Sequence, residues 1–415
     1  MKIRPFKALR PAPGLASEVA CLPYDVMNTE EAAKMAEGNP HSFLHVIRSE
    51  IDLPEVSSQY DHQVYRQAQN NLHDMVKNQI LVQDEVPSFY LYRQRMEGRQ
   101  QLGIVACHSI DDYENGLIKK HEFTRPEKEK DRIRHFDQCD AHTEPVFLTY
   151  RSEETFTGMI RQYAVEQKPV YDFTTEDEIQ HTLWVVSDEE WIHRMAEAFE
   201  HNVHALYIAD GHHRTASAAK IGLKRREENP GLDPNDESQF LMAVSFPQED
   251  LYCMEYNRVV KDLNGMTPDE LLARVSQHFE CEPVENAYQP KEKHEFGMLM
   301  NKHWYRLIAK PHTYAENDVI QQLDVSILQK YLLQPILGIL DPRTDKRIDF
   351  VGGIRGIKEL ERRVHKDMEL AFSMYPTTID DLLQVADEDK IMPPKSTWFE
   401  PKLRSGIFLH PFSDY

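Results

Sequence analysis

The chain has 415 residues, 40% hydrophobic and 10% aromatic, which is ample for a sizeable core and for two or three domains. Its formal net charge of −21 repels nucleic acid, whose binding needs clustered Lys and Arg, so no nucleic-acid partner is expected. No stretch approaches the roughly eighteen consecutive apolar residues of a membrane span, so no membrane partner is expected either.

The five cysteines, at 21, 107, 139, 253 and 281, are odd in number and form no CxxC pair. A reducing compartment is the simple reading. The start, Met1 to Phe6, lacks the apolar run of a signal peptide, and a cytoplasmic location is expected.

In chain order, Phe6 to Arg10 reads as a short strand broken by Pro11 and Pro13. A helix starts at Asn28 or Thr29, either of which can cap it, and Gly38-Asn39-Pro40 ends it. Gln59 to Gln79 carries a longer helical pattern, with Tyr65, Leu72, Met75 and Val76 on one side. Phe89, Leu91 and Arg93 alternate with Tyr90, Tyr92 and Gln94, and a turn with Gly98 leads to Leu102–Ala106, which predicts a hairpin. Leu117-Ile118 is a short extended piece. Glu127 to His135 reads as a helix that Thr124 caps, with Glu127 completing a capping box.

Val146–Tyr150, Leu183–Val186, Val203–Ala209 and Leu241–Phe246 read as strands, and Glu189–Glu200 and Thr215–Leu223 as helices. The Pro-, Gly-, Asp- and Asn-rich stretch 228–238 reads as an exposed loop. Beyond it, helices are expected at Pro268–Phe279, Asp318–Leu333, Gly356–Arg363 and Thr378–Ala386, and strands near Phe350 and at Leu370–Met374. The fold class is α+β, or mixed α/β, with an N-terminal mixed region at 1–85, a core at 86–265 and a C-terminal α/β region at 266–415.

The segment with most chemistry is Leu206 to Ala216, where an apolar strand meets Asp210-Gly211-His212-His213-Arg214 and then Thr215 and a helix of small residues. Gly211 permits a tight turn and close ligand approach. The helix start offers unpaired N–H groups and a positive dipole end, which suits a phosphate, and Arg214 can add a bidentate contact. His212 and His213 can donate hydrogen bonds or move protons near neutral pH. Asp210 can hold magnesium or orient a histidine. The same residues also make an ordinary Asp-Gly turn.

A second segment is Lys119 to Thr124, where Glu122, next to His121, can serve as general base for a hydroxyl. Two further candidates are Asp25 in Leu22–Met27, a possible carboxylate ligand, and Lys395, which the pair Pro393-Pro394 presents to an anion. Seven basic residues between Lys119 and Arg134 form either a solvated helix face or a site for a small anion. There is no HExxH, GxGxxG or GxxxxGK[ST] pattern.

At these residues the sequence resembles the family called domain of unknown function 1015. The landmarks are LPYDV at Leu22–Val26, NPHSFLHVIR at Asn39–Arg48, KKHEFT at Lys119–Thr124, TEPVFLTY at Thr143–Tyr150, ADGHHR at Ala209–Arg214 and MPPKSTWFEPKL at Met392–Leu403. The HE and DGHHR segments are also distantly similar to ParB/sulfiredoxin-like free-serine kinases. That resemblance implies a ParB-like nucleotide-binding core. It implies Glu122, with His121 beside it, as catalytic base, and Asp210 beside the phosphates, where it would hold magnesium. Gly211, His212, His213, Arg214 and Thr215 would form the nucleotide-phosphate site. About ninety residues separate Glu122 from Asp210, longer than a compact ParB-like core requires; either an insertion around 151–180 accounts for the length or Glu122 is not the matching glutamate.

The resulting expectation is a phosphotransferase that uses ATP or ADP with Mg2+ on a small hydroxyl substrate, free L-serine first. A phosphatase or nucleotide hydrolase on the same cradle, and a non-enzymatic nucleotide-binding module, are the alternatives.

Overall fold

A computed structural model describes every residue of the chain except Ser57 and Glu316. The architecture is mixed α/β. The chain divides into two units, one formed by Met1–Leu251 with Pro401–Tyr415 and the other by Tyr252–Glu400.

In the first unit, β1 (Leu9–Pro11) pairs antiparallel with β2 (Leu81–Gln83). Between them lie α1 (Ala16–Val19), α2 (Thr29–Ala36), α3 (Leu44–Ile47) and α4 (His62–Lys77). Asn28 caps α2 as its sequence suggests: its side chain accepts from the Glu31 amide at 2.9 Å, and the Glu31 carboxylate accepts from the Asn28 amide at 2.9 Å. α4 buries Tyr65, Leu72 and Met75 along one stripe.

Next come β3 (Phe89–Met96) and β4 (Arg99–Ser109), joined by a two-residue turn in which Glu97 and Gly98 both have positive φ. α5 (Ile110–Glu114), β5 (Ile118–Lys119), α6 (Pro126–Cys139), β6 (Ala141–His142), β7 (Val146–Tyr150), α7 (Glu154–Glu166) and β8 (Tyr171–Thr174) follow. The unit continues with β9 (Gln180–Val186), α8 (Glu189–Asn202), β10 (Leu206–Asp210), α9 (His212–Glu228) and β11 (Phe240–Pro247).

Eight strands form one sheet in the order β5-β10-β7-β11-β4-β3-β9-β8. The pairs β5–β10 and β7–β11 are parallel and the rest antiparallel. Period-two alternation places Phe89, Leu91, Ile104, Ala106, Val146, Leu148 and Ile208 in one cluster, with Phe156 and Ile160 of α7 and Met195 and Phe199 of α8.

The start of α6 differs from its sequence signal. Pro126 occupies the first turn, so the flanking residue is Arg125, which makes no side-chain cap. The Thr124 hydroxyl bonds to Glu129 instead, and Glu129 also pairs with Lys220 of α9. α7 has no counterpart in the sequence reading.

The second unit begins with β12 (Tyr252–Met254) and β13 (Tyr256–Val260), then α10 (Pro268–Val275), β14 (Phe279–Val284), β15 (Glu295–Met300) and β16 (His303–Ala309). α11 (Asp324–Leu328), β17 (Ile348–Gly352), α12 (Ile357–Lys366), β18 (Leu370–Met374), α13 (Ile379–Asp387) and β19 (Trp398–Glu400) complete it. Its six-stranded sheet, β14-β16-β15-β18-β13-β17, is wholly antiparallel.

Two helix expectations here are shortened. The one ending at Phe279 stops at Val275, because Phe279 already begins β14. The one from Asp318 starts at Asp324 and passes into a π-helical stretch at Gln329–Leu333. β15 and β16 carry no strand expectation because their hairpin turn is Asn301-Lys302, both at positive φ, without the glycine that usually marks such a turn; β14 has no sequence counterpart either. Back in the first unit, β20 (His410–Pro411) pairs with β6.

His108 in β4 is fully buried, with Nδ1 unpartnered and Nε2 3.4 Å from the Ser245 hydroxyl. Burial pushes its pKa down to about 3. An unfolded chain therefore takes up a proton below the ordinary histidine value of about 6.5 that the folded chain refuses until about pH 3. Stability should fall as pH drops through that window. His108→Leu should flatten the slope, read as urea midpoints across pH 3–7; an unchanged slope would contradict this.

Candidate functional site

The turn from β10 to α9 is built on Gly211, whose φ of +93° is open to glycine and costly for other residues. Gly211 precedes α9 with no side-chain cap, and the helical ladder begins with the Thr215 amide on the Gly211 carbonyl at 2.9 Å. The amides of His212, His213 and Arg214 thus form the uncapped positive end of a 17-residue helix. A Cβ on Gly211 would lie 3.1–3.3 Å from Nε, Cζ and Nη2 of Arg214, so the guanidinium lies directly against the turn.

Arg214 is buried rather than splayed into solvent. Its Nη1 donates to the Pro145 carbonyl and its Nη2 lies 3.8 Å from Asp210 Oδ2. Thr215 is buried too, and its hydroxyl donates to the Gly211 carbonyl at 3.0 Å. Both residues hold the turn in shape from beneath.

His121 and Glu122 reach this turn although 88 residues separate Glu122 from Asp210. The reason is the parallel pairing of β5 with β10, Ile118 opposite Leu206 and Lys119 opposite Tyr207. Parallel strands end at the same edge, so the residues that follow them meet. Glu122 Oε2 lies 4.0 Å from His212 Nδ1, and its side chain is 42% exposed. The His121 amide points at His212 Nε2 at 3.5 Å, and the two rings stand nearly perpendicular with centroids 4.5 Å apart. His213 Nε2 accepts from the Arg125 amide at 3.0 Å.

Lys402 was not singled out in the sequence, although it lies inside the MPPKSTWFEPKL landmark. Its ammonium lies 3.4 Å from Asp210 Oδ2. Burial would raise the Asp210 pKa, but the Lys402 and Arg214 cations outweigh it and hold the carboxyl at about 2. Asp210 is therefore an anion already facing two cations, which suits it to orienting Lys402 and leaves it a poor ligand for a bare Mg2+ ion. Burial pushes His121 down to about 4 and His212 well below its ordinary value, so both rings are neutral at pH 7. Burial lowers His213 as well.

The Leu22–Met27 segment also comes to the site. Asp25 is exposed, and its charge acts on both His213 and Arg214. The segment is fixed by Arg48 of the NPHSFLHVIR stretch, which donates to the carbonyls of Tyr24 and Met27 at 2.9 and 3.0 Å. Glu144 holds it from the other side. This fully buried carboxylate accepts from the Tyr24 amide and the Ser405 hydroxyl, both at 3.1 Å, and from Arg132 at 3.2 Å. Arg132 also forks Asp131 and stacks on the Tyr24 ring at 3.9 Å. Glu144 was read only as part of TEPVFLTY. Lys395 belongs to the second unit, where its ammonium lies 5.6 Å from the centre of the Tyr256 ring.

The family described as "Protein of unknown function (DUF1015)" matches residues 3–326. Among solved structures, a free serine kinase in complex with AMP shares 13% identity with a TM-score of 0.35, covering 71% of this chain and 86% of that one. A conserved hypothetical protein from Pyrococcus furiosus shares 14% with a TM-score of 0.36, covering 72% and 93%. SbnI with a C-terminal truncation, from Staphylococcus aureus, shares 10% with a TM-score of 0.39, covering 72% and 85%. No curated protein sequence matches the chain.

Two substitutions test the scaffold. Gly211→Ala places a Cβ against the Arg214 guanidinium at positive φ and should cost more than about 1 kcal/mol of folding stability. Glu144→Gln removes the charge opposite Arg132 and should cost roughly 3 kcal/mol, with Asp131 retaining part of the pairing. Urea unfolding of each variant reads both; a change within about 0.5 kcal/mol would show that the contact carries no stability.

Proposed function

The chain belongs to the DUF1015 family, and from that footing we propose that it is a nucleotide-dependent phosphotransferase acting on a small hydroxyl substrate, with free L-serine as the first acceptor. The observation that carries this reading is one sheet edge at which an uncapped helix N-terminus, the Lys402 ammonium and the Glu122 carboxylate come together.

The phosphate groups of ATP or ADP would lie on the amides of His212, His213 and Arg214, which offer donors and a positive dipole end. Gly211 has no side chain to obstruct them, and Lys402, oriented by Asp210, supplies a full positive charge. Phe123, 66% exposed and next to Glu122, offers an apolar face that suits a purine. Mg2+ would neutralise charge on the phosphate oxygens, which are its natural ligands at this site because Asp210 is already paired.

Glu122 takes the proton of the acceptor hydroxyl. The hydroxyl oxygen forms a bond to the terminal phosphorus, the bond to the bridging oxygen breaks, and the nucleotide leaves with that electron pair. His212 keeps Glu122 in place. With Nε2 turned to the His121 amide, its ring proton sits on Nδ1, the nitrogen that faces Glu122.

The test is to incubate the chain with ATP or ADP, Mg2+ and a panel of small alcohols that includes L-serine. A phosphorylated alcohol is expected. Nucleotide consumed with only inorganic phosphate released would favour the hydrolase, and binding without turnover the sensing module. Glu122→Gln should keep nucleotide binding and lose roughly 10²–10⁴-fold in turnover. Full turnover in that variant would remove Glu122 from the mechanism. Lys402→Ala should weaken nucleotide binding itself, read by titration calorimetry.

A further inference from the structure

We infer that His121, Glu122 and His212 form a binding site for one divalent transition-metal cation of the zinc class. This site goes beyond the phosphotransfer reading and does not depend on it.

The three side chains each offer one ligand atom, and those atoms lie within 4.8 Å of one another. Two imidazole nitrogens and one carboxylate oxygen are the donor set of an open zinc site, with the remaining position left to water or substrate. Tetrahedral ligands at about 2.1 Å from a cation stand about 3.4 Å apart, so the cluster must contract by roughly an ångström. Glu122 can make that movement. It is half-exposed and lies in the irregular stretch between β5 and α6.

His121 is the independent observation. It is 2% exposed, and among the described residues neither Nδ1 nor Nε2 has a partner with hydrogen-bond geometry. The Ile208 backbone is near enough to favour a charged ring without meeting that geometry. A buried imidazole with an unsatisfied lone pair points to an absent water or ion. A cation satisfies that lone pair.

The surrounding charges act both ways. Asp210 adds negative charge beside the rings, and Lys120 and His213 oppose it. Coordination through His212 Nδ1, the nitrogen that faces Glu122, moves the ring proton to Nε2. That costs the long 3.5 Å hydrogen bond from the His121 amide. The hard cation Mg2+, which prefers six oxygens, is the wrong match for this nitrogen-rich set. A cation held here draws charge from the Glu122 carboxylate, so metal occupancy weakens Glu122 as a base.

The experiment uses the full chain without an affinity tag, and without nucleotide or Mg2+. Co2+ serves as probe because a tetrahedral Co2+ site absorbs visible light. One Co2+ per chain is expected, with a visible band that Zn2+ abolishes. Glu122→Gln, at the half-exposed position, should weaken binding by at least about tenfold, and His121→Ala should do the same if it folds. Stoichiometry far below one, or a Glu122→Gln chain that binds as tightly as the unaltered one, would overturn the inference. A chain that binds Co2+ but phosphorylates no alcohol would leave the metal site standing and remove the phosphotransfer reading; phosphorylation with no Co2+ binding would do the reverse.

Discussion

A single buried carboxylate, Glu144, organises the site-bearing unit. Out of contact with water, it must find charge and hydrogen-bond partners inside the fold. It finds them at Tyr24, Arg132 and Ser405, which lie 120 and 12 residues before it in the chain and 261 after it. The bonds fix the approach to α2, the face of α6 and the C-terminal segment against one another. The next residue, Pro145, gives its carbonyl to Arg214. Two consecutive residues therefore link the outer scaffold to the guanidinium that supports the Gly211 turn.

The site combines fixed and neutral groups. Asp210 is ionised at neutral pH and faces both Lys402 and Arg214. The buried histidines His121 and His212 stay neutral, because desolvation of a charged ring outweighs the attraction of the nearby Asp210 carboxylate. In the proposed phosphotransfer, positive potential would come from Lys402 and the α9 amides, and Glu122 would handle the proton of the nucleophile along the same short edge.

Much of this was legible locally. The β3–β4 hairpin, α2 with its reciprocal cap, α4, β7, β18 and the strand–glycine–helix turn at 206–216 each declare themselves through period-two or period-3.6 patterning or through a cap. Local signals failed where two of them competed or one was missing. Pro126 displaced Thr124 as the start of α6, and the glycine-free turn Asn301-Lys302 hid β15 and β16. Within the site, the DGHHR turn and Glu122 could be named from residue type. The buried placement of Arg214 could not, since an arginine after a glycine turn reads equally well as a phosphate contact.

The sequence by itself determined the mixed α/β class, the existence of most elements in the first unit, and the turn that opens α9. Those depend on neighbours a few residues away, and residue order records such neighbours directly. Only the tertiary structure decided that Glu122 meets His212, that Lys402 faces Asp210 across 192 positions, and that 401–415 returns to the first unit. The parallel pairing of β5 with β10 and the burial of Glu144 make those meetings. Strand order and the pairing of buried charge depend on the whole chain being packed, and no local window carries that information.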